Sequence, residues 1–229
     1  MNWDLNKFRD KVVAKHGGEQ LKLLEPFLHA IIEKHQYCSY HYHEANKLEK
    51  VFLGDDATSD DKFLYVFGFS DGKTERTHID TNYLNIRASL SACLFSLHSI
   101  SDTISHVVYY ALGMNFEKEP INKECISILK VKNRLNVSQD EKLLLLLEKF
   151  DDDYLTAITN YSKHRSIICP AFTVPMEGLS SKPYYFYFED FSYKGVHYGR
   201  RDAFDYLVKE IERKNTMILE VGAYFSERA

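Results

Sequence analysis

Two long stretches of this chain, at about residues 19–53 and 82–113, repeat apolar residues at the spacing of an α-helix. Apolar side chains that recur every three or four residues share one helix face, which other elements must cover. Turn-forming residues bound these stretches, such as the pair Gly17-Gly18 and the acidic segment 54–62. Helices of this length are typical of a helical bundle.

Shorter helices complete the predicted bundle. Apolar spacing and helix-ending residues predict them at about 2–15, 122–135, 138–150, 152–168 and 201–225. Ser138 followed by Glu141 matches the capping box that starts many helices. The 229 residues contain no Pro/Gly/Ser-rich linker, so we expect a single helical domain over 1–229.

Two aromatic segments predict short β-hairpins. "FLYVFGFSDGKTERTHI" (63–79) alternates aromatic residues with others and contains Asp71-Gly72, a favoured hairpin turn. "KPYYFYFEDFSYKGVHYG" (182–199) is the second candidate. The 16 Tyr and 15 Phe also indicate a bulky core or aromatic grooves. The predicted fold class is therefore mainly α, a helical bundle with two long helices and one or two short aromatic β-hairpins.

Charge and cysteine usage limit the function classes. A net charge of −4 argues against a generally basic surface but leaves room for a local basic patch. The four cysteines form no CxxC pair, which favours reduced thiols and a cytoplasmic protein. The charged start "MNWDLNKFRDKV" is unlike a signal peptide, and no apolar stretch has the length of a membrane span.

A polar stripe runs along the second long helix. In "LFSLHSISDTISHVVYY", His98, Asp102 and His106 are spaced four apart and share one helix face. Phe95 and Tyr109 lie in the same stripe, which favours partial cover by another element, although a solvated stripe is the alternative. A metal is a further alternative, but three helical turns hold the outer two residues about 12 Å apart. We therefore predict no metal or cofactor here.

The segment "TNYSKHRSIICP" (159–170) is the second polar feature. Helical projection places Arg165 in the middle of an apolar face, with His164 and Asn160 at its edge. A buried arginine needs a carboxylate, because its charge cannot be removed. Asp102 is the natural candidate, so we expect the helices of Asp102 and Arg165 to pack together.

This polar group has two interpretations. In the first, it is a sealed structural network in the core. In the second, it is a site, because a histidine held near a fixed arginine can transfer a proton while the arginine stabilises a phosphate charge. A metal-independent ribonuclease needs such groups.

The phrase "TNYSKHR" (159–165), in a predicted helical bundle, resembles the HEPN superfamily, which includes many ribonucleases of defence and toxin–antitoxin systems; the resemblance covers about residues 82–168. The family motif is Arg, four to six residues, then His, with Asn commonly following the Arg. Asn160 and His164 match this motif, whereas Thr159 stands where the Arg belongs. The overlapping phrase "NYSKHRS" is also similar to uncharacterised bacterial proteins of mobile elements such as integron cassettes.

The resemblance implies RNA as a partner and a homodimer. It also implies that His164 is the general acid or base and that Arg165, in place of the missing Arg, stabilises the phosphate. Asp102 would orient one of them, and Asn160 and His98 would complete the polar site.

A second set of residues is a candidate binding site. Lys194, Arg200 and Arg201 precede the last helix among several tyrosines, a combination that suits phosphates and stacked bases. His106 and Tyr109 are further candidate binding residues on the second long helix. The alternative to an RNA-directed protein is a non-catalytic helical binding protein for a small ligand or a partner protein. The sequence leaves open whether the chain is an enzyme.

Overall fold

A computed structural model of the chain describes residues 3–53, 73–166, 168–173 and 185–227. Among these residues there are seven α-helices, which confirms the mainly α fold class. Their bounds are α1 Leu5–His16, α2 Gly18–Leu53, α3 Lys73–Ala111, α4 Ile128–Ser138, α5 Glu141–Glu148, α6 Asp153–His164 and α7 Ala203–Glu227. Short 3-10 turns lie at Met114–Phe116 and Lys123–Cys125.

The two long helices are confirmed, with one change of bounds. α3 begins at Lys73, well before the predicted start near residue 82. Residues 63–72 of the first predicted hairpin lie outside the described residues. Residues 73–79 are helical, so the prediction of a hairpin is wrong for them. Ile79 is the one apolar residue in 73–79, so the alternation of a half-buried strand is missing there.

Helix ends are set by local hydrogen bonds. Gly17, at φ 86°, ends α1 and donates its N–H to the Val13 carbonyl at 2.8 Å. The predicted capping box at Ser138 is wrong, because that hydroxyl donates to the Leu135 carbonyl at the end of α4. Asp140 caps α5 instead and accepts the Leu143 N–H at 3.3 Å. A carboxylate there also stabilises the positive end of the helix dipole.

The chain divides into two compact units. Unit 1 comprises Met1–Gln36, Ser96–Asp153 and Ile211–Ala229, and unit 2 comprises Tyr37–Phe95 and Tyr154–Glu210. The helices α2, α3 and α7 contribute residues to both units. The predicted single domain over 1–229 stays a prediction.

Unit 1 has a largely aliphatic core, in which α1, α4 and α5 join parts of the long helices. Side chains from α2 and α3 dominate it, and its fully buried members include Leu24, Leu97, Ile100, Ile104, Val107, Val131, Leu143 and Leu147. Helical periodicity produces this core, because each helix buries one apolar stripe.

Unit 2 has an aromatic core built around short strands. β1 Pro170–Thr173, β2 Tyr185–Phe188 and β5 Arg201–Asp202 form an antiparallel sheet in the order β1-β2-β5. Phe172 of β1 packs edge-on against Phe52 at 5.5 Å and Phe186 at 5.4 Å between ring centres. Such ring pairs add to the burial energy of the large side chains.

The second predicted hairpin is confirmed within residues 191–198. β3 Phe191–Tyr193 pairs antiparallel with β4 Val196–Tyr198. Lys194 and Gly195 turn the chain with φ of 50° and 81°, and two positive φ values suit the right-handed twist of the flanking strands. β2, which was predicted in the same hairpin, belongs instead to the three-stranded sheet.

Candidate functional site

Helix α6 positions the polar residues of the segment 159–170. Its buried face consists of Tyr154, Leu155, Ala157, Ile158 and Thr159. The helix ends at His164, four residues before the predicted end at Ile168. The Ser162 hydroxyl, in the last turn of the helix, accepts the Ile168 N–H at 3.2 Å. This side chain thus pairs with a backbone group that lies beyond the end of the helix. Arg165 therefore lies after the helix.

This early end places His164 and Arg165 in solvent. Both side chains are exposed and Asn160 is half-buried, so the prediction of a buried Arg165 on the apolar face is wrong. The helical projection failed because it assumed that the helix continues through residue 165. Thr159, at the family's Arg position, is fully buried and donates its hydroxyl to the Leu155 carbonyl at 2.7 Å.

Arg165 lies against two tyrosine rings. Its guanidinium carbon is 5.7 Å from the centre of the Tyr161 ring and 5.9 Å from that of Tyr193. Lys194 approaches the same Tyr193 ring, with its Nζ at 5.4 Å from the centre. Cations at these distances are attracted by the negative face of the ring. The end of α6 and the β3–β4 hairpin therefore meet around Tyr193.

Arg200 and Arg201 also lie over tyrosines of unit 2. Arg201 is 3.9 Å from the centre of the Tyr154 ring, and Arg200 is 4.5 Å from that of Tyr187. Burial raises the pKa of Tyr187, and the Arg200 guanidinium opposes that rise. The structure thus places Lys194, Arg200 and Arg201 in the same unit as Asn160, His164 and Arg165.

A chain of ring contacts connects Arg165, Lys194 and Arg201. Phe191 packs on Tyr161 at 5.6 Å, on Tyr154 at 5.7 Å and parallel to Tyr198 at 5.1 Å. We call this feature the Arg/Lys–Tyr surface. It is defined by Arg165, Lys194 and Arg201 with Tyr154, Tyr161, Tyr193 and Tyr198.

The Arg/Lys–Tyr surface is locally basic in an acidic chain. The two stretches that form it, 154–166 and 191–201, contain five Lys or Arg, two His and no Asp or Glu. The acids next to these stretches in sequence are Asp151, Asp152, Asp153, Glu189, Asp190 and Asp202, and the Asp202 carboxylate accepts the Asp205 N–H at the start of α7. A local cationic patch therefore exists despite the net charge of −4.

The polar stripe of α3 lies in unit 1. His106 is half-buried, stacks on Phe27 of α2 at 4.5 Å and has its Nδ1 at 2.8 Å from the Asp102 backbone carbonyl. Tyr109 is 1 % exposed and donates its hydroxyl to the Ile121 carbonyl at 3.2 Å. Phe27 of α2 therefore partly covers the polar stripe, as expected. The hydrogen-bond partner of His106 is the Asp102 backbone carbonyl.

The predicted catalytic residues are divided between the two units. His98, half-buried, and Asp102, exposed, belong to unit 1, whereas Asn160, His164 and Arg165 belong to unit 2. An ion pair of Asp102 with Arg165 stays a prediction, and its premise of a buried arginine is wrong. Within the described ranges, no three His, Cys, Asp or Glu side chains are grouped to hold a metal ion.

Tyr161 was not predicted as a partner of Arg165, and its ring is half-buried. The spacing of four residues between Tyr161 and Arg165 was an available signal, because such pairs are neighbours on a helix. No local signal indicated that Tyr193, far along the chain, contacts the same guanidinium.

No protein family, curated protein or solved structure matches this chain. The resemblance to HEPN proteins therefore stays a prediction. In the part of the chain that the structure describes, no helix is long and apolar enough to span a bilayer.

Proposed function

We propose that this protein is an HEPN-like helical protein that binds single-stranded RNA on the Arg/Lys–Tyr surface of unit 2. The observation that carries the proposal is the position of Arg165 between Tyr161 and Tyr193, with Lys194 on the second ring. Exposed cations beside half-buried rings are the combination that binds a flexible, stacked polyanion.

The two residue types have separate roles in this proposal. Lys194 and Arg201 contact phosphates, which provides affinity that falls with salt. Arg165 offers a planar guanidinium on which a base can stack, and the half-buried Tyr161, Tyr193 and Tyr198 offer further ring surface. Base stacking on aromatic residues typically contributes about 1–3 kcal/mol per base and depends little on sequence.

A binding experiment with two matched lysine variants tests this role. Lys194 and Lys142 each lie over a tyrosine ring, at 5.4 Å from Tyr193 in unit 2 and 5.8 Å from Tyr224 in unit 1. Fluorescence anisotropy with a labelled uridine dodecamer would compare Lys194→Gln and Lys142→Gln over a salt series. We expect weaker binding and a salt slope smaller by about 0.7 for Lys194→Gln alone. Equal effects of the two substitutions would contradict the proposal.

RNA cleavage is the second candidate function. The observation that favours it is the exposure of both His164 and Arg165 at the end of α6. In this scheme His164 takes or gives a proton, Arg165 balances the developing phosphate charge, and the half-buried Asn160 orients the site.

Cleavage is tested with labelled structured RNA in EDTA. The comparison is wild type, His164→Ala and His197→Ala, since His197 is an exposed histidine of β4 in the same unit. Activity that is lost in the first variant and kept in the second would support cleavage at His164. Binding without cleavage in wild type would leave RNA binding as the function.

We also propose a reducing, cytoplasmic location and a homodimer. Support for the location comes from Cys38 and Cys93, buried free thiols with Cys38 Sγ at 4.0 Å from the Cys93 carbonyl oxygen. The Cys38 thiol and burial raise the pKa of Cys93, which makes that thiol unreactive. The homodimer rests on the family resemblance, and sedimentation of the purified chain tests it.

A further inference from the structure

Unit 1 contains a groove of about 340 Å³ between α1 and the C-terminal ends of α3 and α7. Its volume is within the range of small-molecule sites. The groove belongs to neither the Arg/Lys–Tyr surface nor the polar stripe of α3.

The floor of the groove is apolar and well packed. Phe8, Val12 and Phe225 form it, and they are 1 %, 3 % and 7 % exposed. Phe8 contacts Phe225 directly, with ring centres 5.3 Å apart. Leu112 adds aliphatic surface beside them. An alkyl chain that binds here would move out of water onto an apolar surface. No polar group of the floor would lose its hydration, so burial of the chain is favourable.

The rim of the groove is cationic. Lys11 and Lys15 line it one turn apart on α1, and no acidic side chain among the described residues lines it. The Lys11 ammonium donates to the Ser226 carbonyl at 2.9 Å. Lys15 is exposed and has no ion pair among the described residues. The nearest acid along α7, Glu227, lies 3.6 Å from Lys142.

Three helix C-termini meet at this groove, and their carbonyl groups would repel an anion. Two contacts reduce that repulsion. Lys11 binds the Ser226 carbonyl near the end of α7, and His16 forms a hydrogen bond with the Ala111 carbonyl at the end of α3. The carbonyl dipoles are thereby partly neutralised, and the charge of Lys15 remains to attract a ligand.

We propose that the groove binds an amphiphilic carboxylate of medium chain length, independently of RNA. The alkyl chain lies over the buried floor and contacts the more exposed lining side chains of Ala14 and Leu112, and the carboxylate contacts Lys15. An apolar floor with cations at one edge matches an acid with an apolar tail better than a neutral or cationic ligand.

The single tryptophan provides the assay. Trp3 packs on Phe8, with ring centres 5.6 Å apart, so a ligand on the groove floor changes its surroundings. Tryptophan emission would be titrated with decanoate, below its aggregation concentration, and with decanol as the neutral analogue. We expect saturable binding of both, with decanoate about tenfold tighter because one charged contact is added.

Variants of α1 separate the roles of tail and charge. Lys15→Met keeps an apolar stem and is expected to weaken decanoate binding about tenfold, to the level of decanol. Lys7→Met is the matched control, since Lys7 is an exposed lysine of the same helix and does not line the groove. Ala14→Phe adds a ring to the exposed rim and should weaken both ligands while the chain stays folded by circular dichroism.

Three results would overturn the proposal. The first is no saturable change in tryptophan emission with either ligand. The second is the same loss of decanoate binding in Lys15→Met and Lys7→Met. The third is a dimer in sedimentation that Ala14→Phe dissociates, because the groove would then be an interface between copies of the chain.

Discussion

Among the glycines that the structure describes, Gly222 of α7 is the one where an added methyl group meets the shortest contacts. An alanine Cβ there would lie 2.2 Å from Trp3 Cγ and 2.3 Å from Cδ2. Carbon atoms in contact are normally about 3.5–4.0 Å apart, so the indole would have to move by more than an ångström. The indole also packs on Phe8, which limits where it can go.

Two opposing terms set the magnitude of the Gly222→Ala effect. Alanine favours a helix interior over glycine by about 0.8–1 kcal/mol. Overpacking a fitted core costs typically about 1–3 kcal/mol, and undocking the indole would lose its burial as well. We therefore expect a net loss of about 1–2 kcal/mol in the free energy of unfolding.

Urea unfolding followed by circular dichroism measures this loss, and tryptophan emission reports whether Trp3 has moved towards water. Gly18→Ala, at the start of α2, is the matched control, because no heavy atom lies within 4 Å of the added Cβ. That variant should be neutral or slightly more stable. In a Trp3→Ala background, Gly222→Ala should become stabilising, since the clash is gone and the helix preference remains.

A Gly222→Ala protein with wild-type stability and unchanged tryptophan emission would refute this reasoning. Such a result would mean that Trp3 does not pack against α7 in solution. The tryptophan assay proposed for the groove would then lose its structural basis as well.

Gly113→Ala should cost about 1–2 kcal/mol, because φ is +70° and the added Cβ would lie 2.6 Å from His16 Cε1; thermal unfolding measures it. Burial lowers the pKa of His16, so the unfolded chain binds more protons and stability falls as pH decreases through and below about 6.5. His16→Gln should flatten that pH dependence in urea titrations. Arg9→Ala removes a half-exposed pair with Glu25 and should cost less than about 1 kcal/mol, an effect that salt diminishes in melting experiments.

The predictable part of the fold depended on long-range periodicity. The long helices were evident because α2 and most of α3 repeat apolar residues over many turns. Their ends were less predictable, since single hydrogen bonds decide them. Asp140, and not Ser138, caps α5. The Ser162 hydroxyl accepts the Ile168 N–H just beyond the early end of α6.

The types of residue in the candidate site could be predicted from the sequence better than their arrangement. Exposed cations beside tyrosines were expected before the last helix, and Lys194 and Arg201 have such contacts. The predicted position of Arg165 was wrong because the helix was expected to continue to Ile168. Beyond the true end at His164, the helical projection no longer gives the direction of a side chain. Its contact with Tyr193 joins elements far apart in sequence, which periodicity cannot detect.

The left-handed backbone of Lys194 carries a cost in folding stability at the tip of the β3–β4 hairpin. A residue with a Cβ at φ 50° costs about 1–2 kcal/mol relative to glycine, and asparagine tolerates this region better than lysine. Lys194→Asn should therefore raise the melting temperature, and it would remove the cation that the proposed RNA-binding surface places over Tyr193. In that proposal, the tip of the hairpin holds its charge at a cost in folding stability.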